Sequence, residues 1–178
     1  MTRIEEGDLL FEFGDKWRVL KLDEHPDYRN KISKINKTKA VDFLAIFNNQ
    51  TLYFIEVKDF RRSFIENKDR LLKGKLAIEL AQKVRDSIAC IIGSYRTSNT
   101  PENWDLYAKL LCHQKKQIKV VLWLELDLPN NPSMTQKFMA SINTNKFKKK
   151  LTWLTYKVLV CNTKKQALPD VKVRNLPR

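Results

Sequence analysis

Apolar residues alternate with polar ones at period two in some stretches and recur every three or four positions in others. Leu9 to Phe13 and Trp17 to Leu22 are short apolar-rich runs around Gly14-Asp15, which predict an early hairpin or a helix and a strand. Residues 23–38, DEHPDYRNKISKINKT, are polar and read as a loop or crossover. From Lys39 to Phe60 the pattern is that of a β-hairpin. Val41, Phe43, Ala45 and Phe47 alternate with Asp42, Leu44 and Ile46; Asn48-Asn49-Gln50 forms the turn, and Thr51 to Lys58 returns. Asn tolerates the left-handed backbone that such a turn requires. Phe64 to Ile92 carries apolar residues at helical spacing, with Gly74 as a candidate break and Gly93 as a candidate stop. Thr100-Pro101-Glu102 opens a helix that runs to about Cys112 or His113. Gln117 to Leu126, QIKVVLWLEL, reads as a fully buried strand. Pro129 to Pro132 reads as a loop, Ser133 to Lys150 as a helix capped by Ser133, Tyr156 to Cys161 as a strand, and Val171-Lys172-Val173 as a short edge strand. This order predicts an α/β fold: a mixed central β-sheet flanked by helices.

The hairpin also concentrates charge where a core is expected. If its turn centres on Asn49, Asp42 lies directly opposite Glu56, since each is seven positions away. Like charges facing each other on paired strands are destabilising. A side-chain period of two puts Glu56 and Lys58 on one face and Val57 on the other. The surroundings are almost wholly apolar, and buried charges need partners or a metal. A divalent cation between Asp42 and Glu56 would relieve the repulsion. With no His or Cys among the candidate ligands, a hard ion suits the site, Mg²⁺ first and Mn²⁺ second. The bland alternative is a solvated hairpin whose Glu56–Lys58 pair is an ordinary salt bridge; Glu-x-Lys alone is a weak signal.

Asp42, thirteen intervening residues and Glu56-Val57-Lys58, followed by a long helix, resemble the PD-(D/E)xK, or restriction-endonuclease-like, nuclease superfamily. AVDFLAI, LYFIEVKDFRR and LAQKVRDSIACIIG are similar to a group of uncharacterised bacterial proteins of that superfamily. The likeness covers Lys39 to Gly93, about a third of the chain, and Ala40-Val41 stands where a Pro often precedes the Asp. The resemblance implies a restriction-endonuclease-like core in which Asp42 and Glu56, with the Val57 carbonyl, bind the metal. Lys58 would orient the attacking water and offset charge growing on the phosphorane. It also implies a further acid near the N-terminus, for which Glu5 and Glu6 are the candidates ahead of Glu12 and Glu24. Gln82 falls where some members carry a glutamine near the metal. Asp86 stands where a RecB-like member would have a tyrosine, which argues against that subgroup. Nucleases of this kind often pair to cut both strands, so a homodimer is an expected partner.

Charge changes the picture in one respect. The chain has 178 residues, enough for a single nuclease domain with a proper core, and a net charge of +14 that is unevenly spread. Residues 1–60 carry ten Lys/Arg against eleven Asp/Glu, whereas residues 143–178 carry ten against Asp170 alone. An acid-bearing half suits a cation; a basic half suits a polyanion, most simply DNA. Lys146, Lys148, Lys149 and Lys150 form the densest cluster, and Arg61 and Arg62 lie just past the Glu-x-Lys motif. All six are candidate phosphate contacts. Phe147 and Trp153, set among the lysines, suit either base stacking or the core, and the core is expected for both.

Other classes fall away. Lys83 and Arg85 on the long helix suit phosphates or solvent. Cys90, Cys112 and Cys161 are scattered, which supports neither zinc nor disulfides and predicts three buried thiols in a reducing cytoplasm. His25 and His113 stand apart from any nucleophile. Only four glycines are present, without a phosphate-binding loop. No apolar run is long enough to span a membrane and no secretory leader is visible. Two classes remain: a Mg²⁺-dependent deoxyribonuclease acting in repair, recombination or defence, and a non-catalytic nucleic-acid-binding or accessory protein that keeps the nuclease fold.

Overall fold

The computed structural model describes residues 1–127 and 131–177. The expected loop from Pro129 to Pro132 therefore lies partly outside the described residues. The main sheet has five strands: β3 (Trp17–Lys21), β4 (Phe43–Phe47), β5 (Thr51–Asp59), β6 (Gln117–Glu125) and β7 (Val158–Cys161). They are ordered β3-β4-β5-β6-β7. The first three run antiparallel, and β5, β6 and β7 are mutually parallel. The connection from β5 to β6 carries α2 (Phe64–Leu72), α3 (Lys75–Thr97) and α4 (Glu102–Cys112). The connection from β6 to β7 carries α5 (Pro132–Ser141) and α6 (Thr144–Leu151). The fold is thus mixed α/β, with a five-stranded mixed sheet flanked by helices.

The two faces of that sheet are covered differently. Leu44, Ile46, Leu52, Phe54, Val120, Leu122 and Val158 face a core shared with the helices. Phe43, Ala45, Tyr53, Ile55, Val57, Val121 and Trp123 face a second core. A small sheet closes that second core, built from β1 (Thr2–Glu6), β2 (Leu9–Phe13) and β8 (Val171–Asn175) in the order β1-β2-β8. Phe11 meets Phe43 and Trp123 edge-on, each at 5.3 Å between ring centroids. Aromatic pairs of this kind add about 0.5–1.5 kcal/mol beyond simple burial. Coverage on both faces explains why β4, β5 and β6 read as nearly unbroken apolar runs.

Several local expectations change. Leu9–Phe13 and Trp17–Lys21 are both strands, but they belong to different sheets. β2 pairs with β8 and with β1, which turns back at Gly7 with φ 56°. The segment after β3 holds a short helix, α1 (Pro26–Asn30), whose first turn is capped by His25. Gly74 separates α2 from α3 with φ 71°, a left-handed conformation in which a side chain would be strained. Gly93 does not end α3, which continues to Thr97 because Ile91 and Ser94 are buried against the core. The predicted helix from Ser133 to Lys150 is two helices. Asn131, not Ser133, caps α5 by accepting from the Met134 N–H at 3.1 Å. Asn143 caps α6, accepting from Asn145 N–H at 2.9 Å. Cys90 and Cys161 are buried as expected, but Cys112 is exposed at the end of α4.

Candidate active site

The hairpin register is the one its sequence predicts. Phe43 pairs with Ile55 and Phe47 with Thr51, so the next pair outward is Asp42 and Glu56. Asn48 and Asn49 take φ 52° and 54°, consecutive left-handed residues of the primed turn that matches the twist of paired strands. Asp42 immediately precedes β4, where its carboxylate replaces a ladder carbonyl. Its Oδ2 accepts from the Val57 N–H at 2.6 Å. In an extended strand a residue's N–H and C=O project to the same edge, so the Val57 carbonyl faces Asp42 as well.

The segment leading to Asp42 belongs to no ladder, and side chains hold it instead. Lys39 N–H donates to Asp86 Oδ2 at 3.1 Å, Ala40 N–H to the Tyr28 hydroxyl at 3.1 Å, and Val41 N–H to Ser87 Oγ at 2.9 Å. Asp86 and Ser87 are both on α3, so this helix fixes where the first acid sits. Buried backbone donors need such partners.

Glu56 is 1% exposed and Asp42 6%. Two lysines reach Glu56 Oε1: Lys58 from the same strand face, and Lys83 from α3 at 2.6 Å. Lys83 Nζ also lies 3.5 Å from Asp42 Oδ1, so it bridges the two acids. Burial raises the Glu56 pKa, the charge of Asp42 adds to the rise, and the lysines oppose it. Burial works against the Lys83 ammonium too, yet Glu56 and Asp42 lift its pKa above the ordinary value. From its sequence position Lys83 suits only phosphates or solvent. Its i−4 relation to Ser87, whose hydroxyl donates to the Lys83 carbonyl at 2.7 Å, ties it to the same turn of helix.

Among the described residues, the buried side-chain atoms without a hydrogen-bond donor are Glu6 Oε2, Asp23 Oδ1 and both oxygens of Glu56. Ionic contacts with lysines reach Glu6 Oε2 and Glu56 Oε1 without hydrogen-bond alignment, and Glu56 Oε2 has no hydrogen-bond partner. The contrast with Glu125, at the end of β6, is informative. That buried carboxylate accepts from Trp123 Nε1 at 2.9 Å, Thr163 N–H at 2.7 Å and Thr163 Oγ1 at 3.1 Å, so it is satisfied as structure.

Asp23 is an acid that the sequence reading passed over. It follows β3, whose neighbour Leu22 donates its N–H to the Asp42 carbonyl at 2.9 Å. Burial first, then the charges of Asp42 and Glu6, push its carboxyl up to about 6. Glu6 itself pairs with Lys21 at 3.1 Å, while Glu5 is exposed on β1 and offers Lys21 only its carbonyl. Glu24 is bound to Lys21 at 2.8 Å, and Glu12 to Arg3 at 2.9 Å. The raised Asp23 pKa has a sign that can be tested. The folded state favours the protonated acid, so this contribution to stability is complete below the ordinary carboxylate pKa and is lost as pH rises through about 6. Asp23→Asn in EDTA should therefore exceed wild type by about 1–3 kcal/mol at pH 7, with the gap closing near pH 4. Urea denaturation at the two pH values measures it; an equal gap at both would deny Asp23 a shifted pKa.

A cleft of about 560 Å³ opens over Glu56 and Lys58. Lys37, Lys39, Arg70, Gln82, Lys83 and Arg85 line it, with Glu79 and Asp86. Arg70 is held by Glu79 at 2.5 Å and Arg85 by Asp86 at 2.8 Å. For a hard divalent cation the donor set fits: two adjacent carboxylates, one with a bare buried oxygen, and a strand carbonyl. Among the described residues no three Asp, Glu, His or Cys converge as a cation cage. Water would complete the shell, as is usual for Mg²⁺ held by one or two carboxylates.

The remaining candidates are dispersed. Arg61 braces the end of β5, bonding Asp59 through Nε at 2.8 Å and Asn175 through Nη1 at 2.6 Å. Arg62 pairs with Asp8 at 2.9 Å and remains largely exposed. Both line a separate depression with Gly7 and Asp8 rather than the main cleft. Lys146, Lys149 and Lys150 are exposed on α6, and Lys148 is half-buried. Phe147 is in the core, as expected, whereas Trp153 is 56% exposed, contrary to expectation. Among the described residues no helix is long and apolar enough to cross a membrane.

Comparison with known proteins adds little to this geometry. No family model matches the chain, and no solved structure matches it. The cysteine--tRNA ligase of Neisseria meningitidis serogroup A / serotype 4A is 29% identical over 180 aligned positions, which cover 83% of this chain and 25% of that protein. The chain therefore spans about a quarter of the length of the curated relative it resembles.

Proposed function

We propose that the chain is a metal-dependent nuclease of PD-(D/E)xK type, with a restriction-endonuclease-like core, that hydrolyses DNA phosphodiester bonds. The observation that carries this reading is the buried Glu56 carboxylate. It faces Asp42, has an oxygen with no donor and lies beside Lys58 in a basic cleft. A structural role would have satisfied it, as Glu125 is satisfied. Asp42, Glu56 and the Val57 carbonyl would hold Mg²⁺ or Mn²⁺, which would supply Lewis-acid polarisation of a phosphate oxygen. Lys58 lines the cleft with its ammonium on Glu56, from where it would orient a water and offset negative charge growing on phosphorus. Lys37, Lys39 and Arg85 line the approach and attract the phosphate backbone, with the lysines of α6 as outlying contacts. Asp86 and Ser87 act as positioning residues through their hold on the segment before Asp42.

The test is cleavage of plasmid, single-stranded and branched DNA in Mg²⁺, Mn²⁺ or EDTA. The relative described above is named for a reaction on tRNA, so RNA belongs in the panel. Cleavage that requires the divalent ion is the expected result. Salt-sensitive binding without cutting on any substrate would instead favour an accessory nucleic-acid-binding protein.

A further inference from the structure

Trp153 lies in the turn between α6 and β7, and more than half of its surface meets solvent. Its ring is held: Nε1 donates to the Lys150 carbonyl at 3.1 Å, and the turn is closed by Leu154 N–H to Leu151 O at 2.9 Å. The other tryptophans, Trp17, Trp104 and Trp123, are buried. Beside Trp153, α3 presents Ile78, itself 44% exposed, and Ala81. Together with Gln82, Arg85 and Lys150 they line a shallow depression of about 280 Å³. Gln82 and Arg85 also line the cleft over Glu56 and Lys58, so the two hollows share a wall. On its far side Trp153 borders a third depression, about 500 Å³, that carries Lys115, Lys116 and Lys157.

We propose that this surface is a track for single-stranded nucleic acid, with an unpaired base stacked on Trp153 and the flanking phosphates on Lys150 and Arg85, leading into the cleft. The proposal rests on the nuclease reading and narrows its substrate. A fixed, exposed indole between basic depressions matches what single strands offer: a base face for stacking beside a phosphate for charge. A duplex hides its base faces and makes no use of such a ring. The net charge of +14 favours a polyanion here over a second copy of this equally basic chain.

The experiment compares a labelled single-stranded oligonucleotide with the duplex of the same sequence, by anisotropy in EDTA, for wild type, Trp153→Ala and Trp153→Phe. Trp153→Ala should weaken single-strand binding about tenfold and duplex binding less than twofold, while Trp153→Phe retains most of the affinity. Oligonucleotide should also quench the emission of Trp153. Equal loss on both forms, no loss on either, or a change in self-association with unchanged oligonucleotide affinity would overturn the proposal. Binding in EDTA requires no chemistry, so failure of the track and failure of the nuclease reading are distinguishable. Failure to cleave would sink only that reading, and cleavage by a protein whose Trp153→Ala variant binds normally would sink only the track.

Discussion

Lys58→Ala is expected to lower metal-dependent cleavage about 10²–10³-fold, the usual loss when one group stabilising developing charge is removed, while nucleic-acid affinity stays within about twofold of wild type, since one contact among many phosphate contacts contributes little. Glu56→Gln should lose cleavage and weaken divalent-ion binding together, because the neutral amide replaces the carboxylate with the unsatisfied oxygen. Titration calorimetry with Mn²⁺ separates the two variants: Lys58→Ala should keep the ion and Glu56→Gln should not. Full cleavage by Lys58→Ala would remove that lysine from the mechanism. Unchanged ion binding by Glu56→Gln would mean that the acid pair is not the cation site.

The second large effect concerns Lys83. Its ammonium lies between two buried acids, 2.6 Å from Glu56 and 3.5 Å from Asp42, where a metal would otherwise offset their repulsion. Removing one partner from a buried ion cluster costs about 3–5 kcal/mol, because the charges left behind have neither water nor a counter-charge. Lys83→Met should therefore be destabilised by about that amount in EDTA. A divalent ion should recover part of the loss, about 2–3 kcal/mol at a hundredfold excess over its dissociation constant. It should raise the Tm of the variant more than that of wild type. A cost below about 1 kcal/mol, the range of exposed pairs, would show that Lys83 is merely a surface neighbour of the acids.

These two experiments probe parts of the site that differ in how far sequence exposes them. The facing of Asp42 and Glu56 follows from short-range rules. Period-two alternation fixes which residues share a face, and two asparagines with positive φ fix the turn centre from which the register counts outward. Lys58 shares the face of Glu56 by the same parity. The apolar strands were legible because both faces of the sheet are covered, which leaves their sequences without polar alternation. Capping on α5 falls to Asn131 for a local reason: it precedes Pro132, the residue suited to a first turn, and so competes with Ser133.

Everything that converts the hairpin into a site comes from distant segments. Lys83 arrives from α3, Asp23 from the end of β3, and Glu6 from a strand of the second sheet. Nothing in their spacing announces these placements, because they depend on how α3 and the second sheet pack against the main sheet. Burial is likewise a tertiary outcome. Phe147 and Trp153 are both aromatics among lysines, yet one faces the core from α6 while the other follows the helix end into solvent. Sequence alone determined the central strands β4, β5 and β6, the turn and the pairing of the two acids, since those depend on backbone preferences over a few residues. Only the tertiary structure decided which cation lies between them, which third acid approaches and which tryptophan is left free, because those follow from long-range packing that brings together side chains remote in the chain.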